Sequence, residues 1–111
     1  MIYTPRFQSR IERIHGYIAD VLCNPVAADG LVDAIITDCE VLESSPYVGM
    51  VVRSKNGRYN GMRYIISGRY LILYKIDGDR VEVLSILDTR TKEAATFLSR
   101  DRKRDLTIHH P

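Results

Sequence analysis

The sequence is poor in the residues that would simplify its reading. Two cysteines, Cys23 and Cys39, are too few for a disulfide framework, and a reduced, cytoplasmic chain is the expectation. Four Pro and seven Gly among 111 residues, with 45% hydrophobic and 27% charged side chains, exclude a disordered or low-complexity chain and fit one domain with a core. No apolar run approaches the roughly 18 residues of a membrane span, so no membrane partner is expected. The opening residues lack the basic and then apolar stretch of a secretory signal. Familiar chemistry is missing as well. Gly57, Gly61 and Gly68 do not have phosphate-loop spacing. No Cys/His set has zinc spacing. Cys39 as a nucleophile would need His15, which lies off the apolar stripe and reads as a surface residue. The expectation is therefore no metal and no cofactor.

Acidic residues are absent from one long stretch, and this is the most informative shortage. The net charge of +2 is an average over three unlike segments. Residues 1–43 set three Arg against seven acids, a net of −4. Residues 44–76 carry Arg53, Lys55, Arg58, Arg63, Arg69 and Lys75 with no Asp or Glu, a net of +6. Residues 77–111 sum to zero. The basic stretch also holds Tyr47, Tyr59, Tyr64, Tyr70 and Tyr74. Cations interleaved with aromatics suit phosphate neutralisation with base stacking, and an acidic protein partner would fit the same patch.

The first half of the chain has a helical period. Phe7, Ile11, Ile14, Ile18 and Leu22 form one stripe, and Ala28, Leu31, Ile35, Cys39 and Leu42 a second. Thr4-Pro5 and Asn24-Pro25 are matching start signals, a capping residue followed by Pro at the first helical position. Ser44-Ser45-Pro46 ends the second helix. Met1 to Tyr3 is a candidate edge strand. The second half reads as strands over Met50–Arg53, Met62–Ser67, Arg69–Ile76 and Arg80–Leu87, with turns at Gly68 and Asp77-Gly78-Asp79.

A type II′ turn with Gly78 first sets the register of the last hairpin. Asp77 then faces Arg80, Lys75 faces Glu82, Tyr74 faces Val83 and Arg69 faces Asp88. Leu73 pairs with Leu84, Leu71 with Ile86, Ile72 with Ser85 and Tyr70 with Leu87. Strict alternation places Arg63 on the Tyr70/Tyr74 face and Arg90 on the Arg69 face. The two converge only if the last strand ends near Asp88 or a bulge re-aims Arg90. A short helix over Glu93–Arg100 follows. The expected fold class is α+β, an N-terminal helical hairpin on a small, mainly antiparallel sheet. Residues 1–98 form a single domain and 99–111 a charged tail whose order the sequence leaves open.

The residues in this order resemble the RelE/ParE superfamily of toxins from bacterial type II toxin–antitoxin modules. A helical hairpin is followed by Pro46-Tyr47-Val48-Gly49, then Gly61-Met62-Arg63-Tyr64, Arg69 to Ile76 and Gly78 to Leu87. The resemblance covers roughly Ile2 to Leu98. It implies neutralisation by a cognate antitoxin with an acidic segment. It also implies one of two targets. In the RelE branch a basic cluster cuts messenger RNA on the ribosome without a metal, with Arg as a bidentate phosphate ligand. In the ParE branch the toxin poisons DNA gyrase without nuclease chemistry, and the segment from Arg90 onward matters most. The RelE-like pattern maps catalytic roles onto Lys55, Arg63 and Arg90, and nucleic-acid binding onto Arg53, Arg58, Arg69 and Lys92. The leading expectation is a ribosome-associated mRNA endonuclease, and the alternative is a gyrase inhibitor. The late Tyr or His-Tyr pair of RelE-like members is replaced by Thr96-Phe97. The His-Gly-Arg-Arg of many ParE-like members is replaced by Asp88-Thr89-Arg90-Thr91-Lys92.

Overall fold

The computed structural model describes residues 1–53, 57 and 59–98. Helix α1 spans Pro5–Gly16 and α2 spans Pro25–Ser44. Both begin as their sequences predict. Thr4 Oγ1 accepts a hydrogen bond from the Phe7 amide at 3.3 Å, and Asn24 Oδ1 accepts one from the Ala27 amide at 3.1 Å. Each cap satisfies a backbone donor that the first helical turn would otherwise leave open. Between the helices the chain widens into a π-helical segment, Tyr17–Val21, where the Leu22 amide reaches back five residues to the Tyr17 carbonyl at 3.1 Å. Cys23 then takes a positive φ of 54°, which reverses the chain into an antiparallel hairpin.

Five strands form one sheet in the order β1-β5-β4-β3-β2. They are β1 Ile2–Tyr3, β2 Met50–Arg53, β3 Tyr59–Ser67, β4 Tyr70–Asp77 and β5 Arg80–Asp88. β1 is the expected edge strand and pairs with β5 in parallel; every other pair is antiparallel. β3 begins at Tyr59, ahead of the start expected at Met62. Among the described residues no helix is long and apolar enough to cross a membrane.

The hairpin register agrees with expectation as far as Tyr74↔Val83 and then departs from it. Asp77↔Arg80, Ile76↔Val81 and Lys75↔Glu82 pair as predicted. Gly78 has φ 66° and Asp79 does not have a positive φ, as a type II′ turn requires. Beyond Val83 a bulge inserts Leu84, so Leu73 faces Ser85, Ile72 faces Ile86, Leu71 faces Leu87 and Tyr70 faces Asp88. Strict alternation missed this because the extra residue is stabilised from outside the hairpin. The Thr4 hydroxyl donates to the Leu84 carbonyl at 2.8 Å, and the Thr4 amide to that of Val83 at 3.1 Å. The residue that caps α1 therefore also holds the bulge.

That one-residue shift changes which side chains face the helices. Ile86 joins Phe7, Ile11, Ile35, Cys39, Tyr70, Ile72 and Val83 in the main core under the helical hairpin. Leu42, Tyr74 and Val81 continue it toward the C-terminal end of α2. The opposite face carries Val52, Tyr64, Leu71, Leu73 and Leu87, which pack against Ala94 of a helix α3 over 92–98. Thr91 caps α3, its hydroxyl accepting from the Ala94 amide at 3.2 Å. The sheet is thus covered on both faces, which explains why its strands read as nearly continuous apolar runs. Each fully buried aliphatic contributes about 1.5–3 kcal/mol.

Candidate functional site

The sheet distributes its cations along its length instead of gathering them. At one end lie the β4–β5 hairpin and the start of β3, with Arg53 opposite Tyr59. Arg53 donates to the Gly57 carbonyl at 3.3 Å. Lys55 and Arg58 fall outside the described residues. Arg63 sits mid-sheet, opposite Tyr74 and Val51. At the other end are Arg69 in the β3–β4 turn, Arg90 after β5, and Lys92, exposed at the start of α3. Tyr70, the residue next to Arg69, faces Asp88, whereas Arg63 lies level with Tyr74. Four residues of β4, about 13 Å of strand, therefore separate Arg63 from the Arg69/Arg90 end.

Arg63 is held by the loop that joins α2 to β2. Its Nη1 donates to the carbonyls of Tyr47 at 3.2 Å and Gly49 at 3.1 Å, and its guanidinium stacks over the Tyr47 ring at 5.2 Å. The buried Tyr74 hydroxyl grips the same loop, donating to the Pro46 carbonyl at 2.6 Å and accepting from the Gly49 amide at 2.9 Å. Gly49 is needed there, because a Cβ would sit 2.5 Å from the Tyr74 hydroxyl and 2.7 Å from the Tyr64 carbonyl.

At the far end a single carboxylate organises two arginines. Asp88 accepts from Arg90 Nε at 3.2 Å and Nη2 at 3.0 Å, and pairs with Arg69 Nε at 3.2 Å. The Arg69–Asp88 association expected from the register thus forms, although Tyr70 is the residue directly opposite. The hydrogen bonds from Arg90 hold the Asp88 carboxyl below the usual carboxylate range, with Arg69 adding to the effect. Arg69 also lies over the Tyr70 ring at 5.5 Å. β5 does end at Asp88, and the bulge is present, so both conditions for re-aiming Arg90 are met. Yet Arg90 turns to Asp88 and the helical hairpin, not toward Arg63.

A groove of about 960 Å³ opens between that end of the sheet and the helical hairpin. Ile14, Ile18, Leu31 and Tyr70 give it an apolar floor, and Arg10, Arg13, Arg69 and Arg90 a cationic rim. Arg10 bonds the Ile86 carbonyl at 3.4 Å and Glu93 at 3.2 Å. The second half of the Phe7–Leu22 stripe lines this groove, where Ile14 also packs against the main core, and Leu22 is 55% exposed. Arg10 and Arg13 escaped the sequence reading, and Asp88 entered it as the partner of Arg69 and not as a site residue. The uncovered end of the stripe, with Arg10 and Arg13 one helical turn apart beside it, was the signal for the first two. His15 bonds Asp29 at 2.7 Å on the hairpin surface.

The model of the ParE toxin of type II toxin–antitoxin system, parDE, matches residues 1–93. The chain belongs to that family. It is a toxin of a type II toxin–antitoxin system. No curated sequence matches it, and the solved structures it resembles are distant in sequence. The chromosomal ParDE TA system from P. aeruginosa aligns with a TM-score of 0.65 at 18% identity, over 78% of this chain and 90% of that one. The RelB-RelE antitoxin–toxin complex from Methanococcus jannaschii aligns with a TM-score of 0.50 at 17% identity, over 86% and 98%. These likenesses establish the fold of the toxin: a helical hairpin on a five-stranded sheet.

Proposed function

We propose that this toxin inhibits DNA gyrase by binding it, without nuclease chemistry, and is neutralised by a cognate antitoxin. The observation that carries the reading is the separation of Arg63 from Arg90. A metal-independent ribonuclease needs its cations around one phosphate, beside a group that takes the 2′ proton. Here Arg63 serves the loop before β2 and Arg90 serves Asp88, about 13 Å of strand apart. Arginine cannot act as the base, His15 bonds Asp29 on the helical hairpin, and Lys55 lies outside the described residues. The family match to ParE points the same way.

The apolar groove with its arginine rim suits the acidic segment of an antitoxin, and both structural relatives are toxin–antitoxin systems. One observation favours the ribonuclease reading, with ribosome and mRNA as partners: the +6 charge of residues 44–76. A paired assay separates them. Purified toxin is added to gyrase supercoiling relaxed plasmid, and to ribosomes programmed with mRNA. Supercoiling is expected to fail while the mRNA stays intact; cleaved mRNA with normal supercoiling would replace the gyrase reading with the nuclease.

A further inference from the structure

Three of the four arginines at the rim of the groove are already bound to carboxylates of the chain itself. Arg10 pairs with Glu93 at 3.2 Å, and Asp88 holds both Arg69, at 3.2 Å, and Arg90, at 3.0 Å. Asp88 is the inner member of its cluster: its side chain is 21% exposed, against 51% for Arg69 and 67% for Arg90. It is also fixed from behind. Its carboxylate accepts from the Arg90 amide at 2.9 Å, and its carbonyl accepts from the Thr91 hydroxyl at 2.7 Å and the Thr91 amide at 3.0 Å. Swinging the carboxylate away would cost the amide bond as well as both ion pairs.

A guanidinium recognises a phosphate through a pair of parallel N–H donors. Asp88 takes such a pair on Arg90, accepting from Nε at 3.2 Å and from Nη2 at 3.0 Å, and it takes Nε of Arg69. It also sets a fixed negative charge beside any phosphate that reaches the two arginines. We propose that Asp88 is a specificity-determining residue: it occupies Arg69 and Arg90 so that this end of the sheet refuses the phosphate backbone of a nucleic acid. The inference rests on the reading of the chain as a toxin that binds a protein and does not cut RNA. A nucleic-acid strand draws most of its affinity from phosphate contacts, and those are what Asp88 withholds. An acidic peptide with an apolar stripe would also bury surface on Ile14, Ile18 and Leu31 of the groove floor.

The test follows a labelled single-stranded RNA oligonucleotide by fluorescence anisotropy. Asp88→Asn is expected to bind it about tenfold more tightly than the wild type at about 50 mM salt. With two arginines released, the slope of log affinity against log salt should steepen by about 1.4. Asp79→Asn makes the same change of charge at an exposed turn before β5 and should leave the slope as it is. Adding Arg90→Ala to Asp88→Asn should take back about half of the added slope. A gain that Asp79→Asn matches, or that survives loss of both Arg69 and Arg90, is a general charge effect and overturns the proposal. So does a folded Asp88→Asn protein that binds like the wild type. Should Asp88→Asn fail to fold, Arg69→Ala/Arg90→Ala in the wild-type background answers the same question. Unchanged RNA binding supports the proposal, and weakened binding shows that the arginines already meet phosphate and overturns it. Cleavage of mRNA by the wild type in the ribosome assay removes the underlying reading, whereas an absent gain in Asp88→Asn removes the role of Asp88 alone.

Discussion

At the scale of single residues, buried polar groups do more than their number suggests. The Tyr74 side chain is fully buried, yet its hydroxyl makes two bonds to the loop that leads into β2. Tyr74→Phe strands the Pro46 carbonyl and the Gly49 amide, and is expected to lower stability by about 1–3 kcal/mol, measured by urea denaturation. Sequence marked Tyr74 as a strand aromatic opposite Val83 and beside Arg63, without these bonds. Its bonds cross from β4 to a loop 25 residues earlier, and no local pattern encodes such a distance. Two further groups, the buried Cys39 and the half-buried Tyr3, make stability depend on alkaline pH. Burial pushes the Cys39 thiol from 9.0 to about 12, with Asp38 and Glu40 adding to it. Burial, then Cys39 and nearby glutamates, pushes the Tyr3 hydroxyl from 10.0 to about 12. The native chain keeps protons that the unfolded chain releases, so this stability is fully present below the unfolded value of 9.0 and falls as pH rises toward 12. Denaturation midpoints at about pH 8 and pH 10.5 should therefore differ, the latter being lower; equal midpoints would contradict the burial of both groups.

At the scale of elements, what the sequence encoded locally could be read and what was stabilised across elements could not. Both helix starts were legible because Thr4-Pro5 and Asn24-Pro25 carry their caps within four residues. The type II′ turn was legible because Gly78 is the only residue there free to take φ 66°. The bulge at Leu84 was not, since the Thr4 bonds that hold it come from the other end of the chain. That bulge carries Asp88 onto the Tyr70 face, where it meets Arg69 and Arg90. Asp88 is the hinge of the site, and its depressed pKa gives a signed prediction. Its contribution is present above the unfolded value of 3.8 and is lost as pH falls through the native one. Asp88→Asn should melt below the wild type at about pH 7, and the gap should close in acid. A gap that persists at about pH 2 would mean that the aspartate acts through packing and not charge.

At the scale of the molecule, the charge pattern that stood out in the sequence becomes a geometric one. The −4 segment is β1 and the helical hairpin, and the +6 segment runs from the α2–β2 loop through β2 and β3 into β4, with Lys55 and Arg58 outside the described residues. Sequence identified the family and the basic stretch. The RelE-like pattern suggested a nuclease cluster, although strict alternation already set Arg63 and Arg90 on opposite faces; in the structure they also stand at different levels of the strand ladder. Separated cations favour a toxin that binds over one that cuts. The most direct test follows protein synthesis and chromosome integrity in the same culture after the toxin is induced without antitoxin. A gyrase-binding toxin produces DNA breaks and an SOS response while labelled amino acids are still being incorporated. Translation that stops first, with intact DNA and mRNA cut on the ribosome, would contradict it.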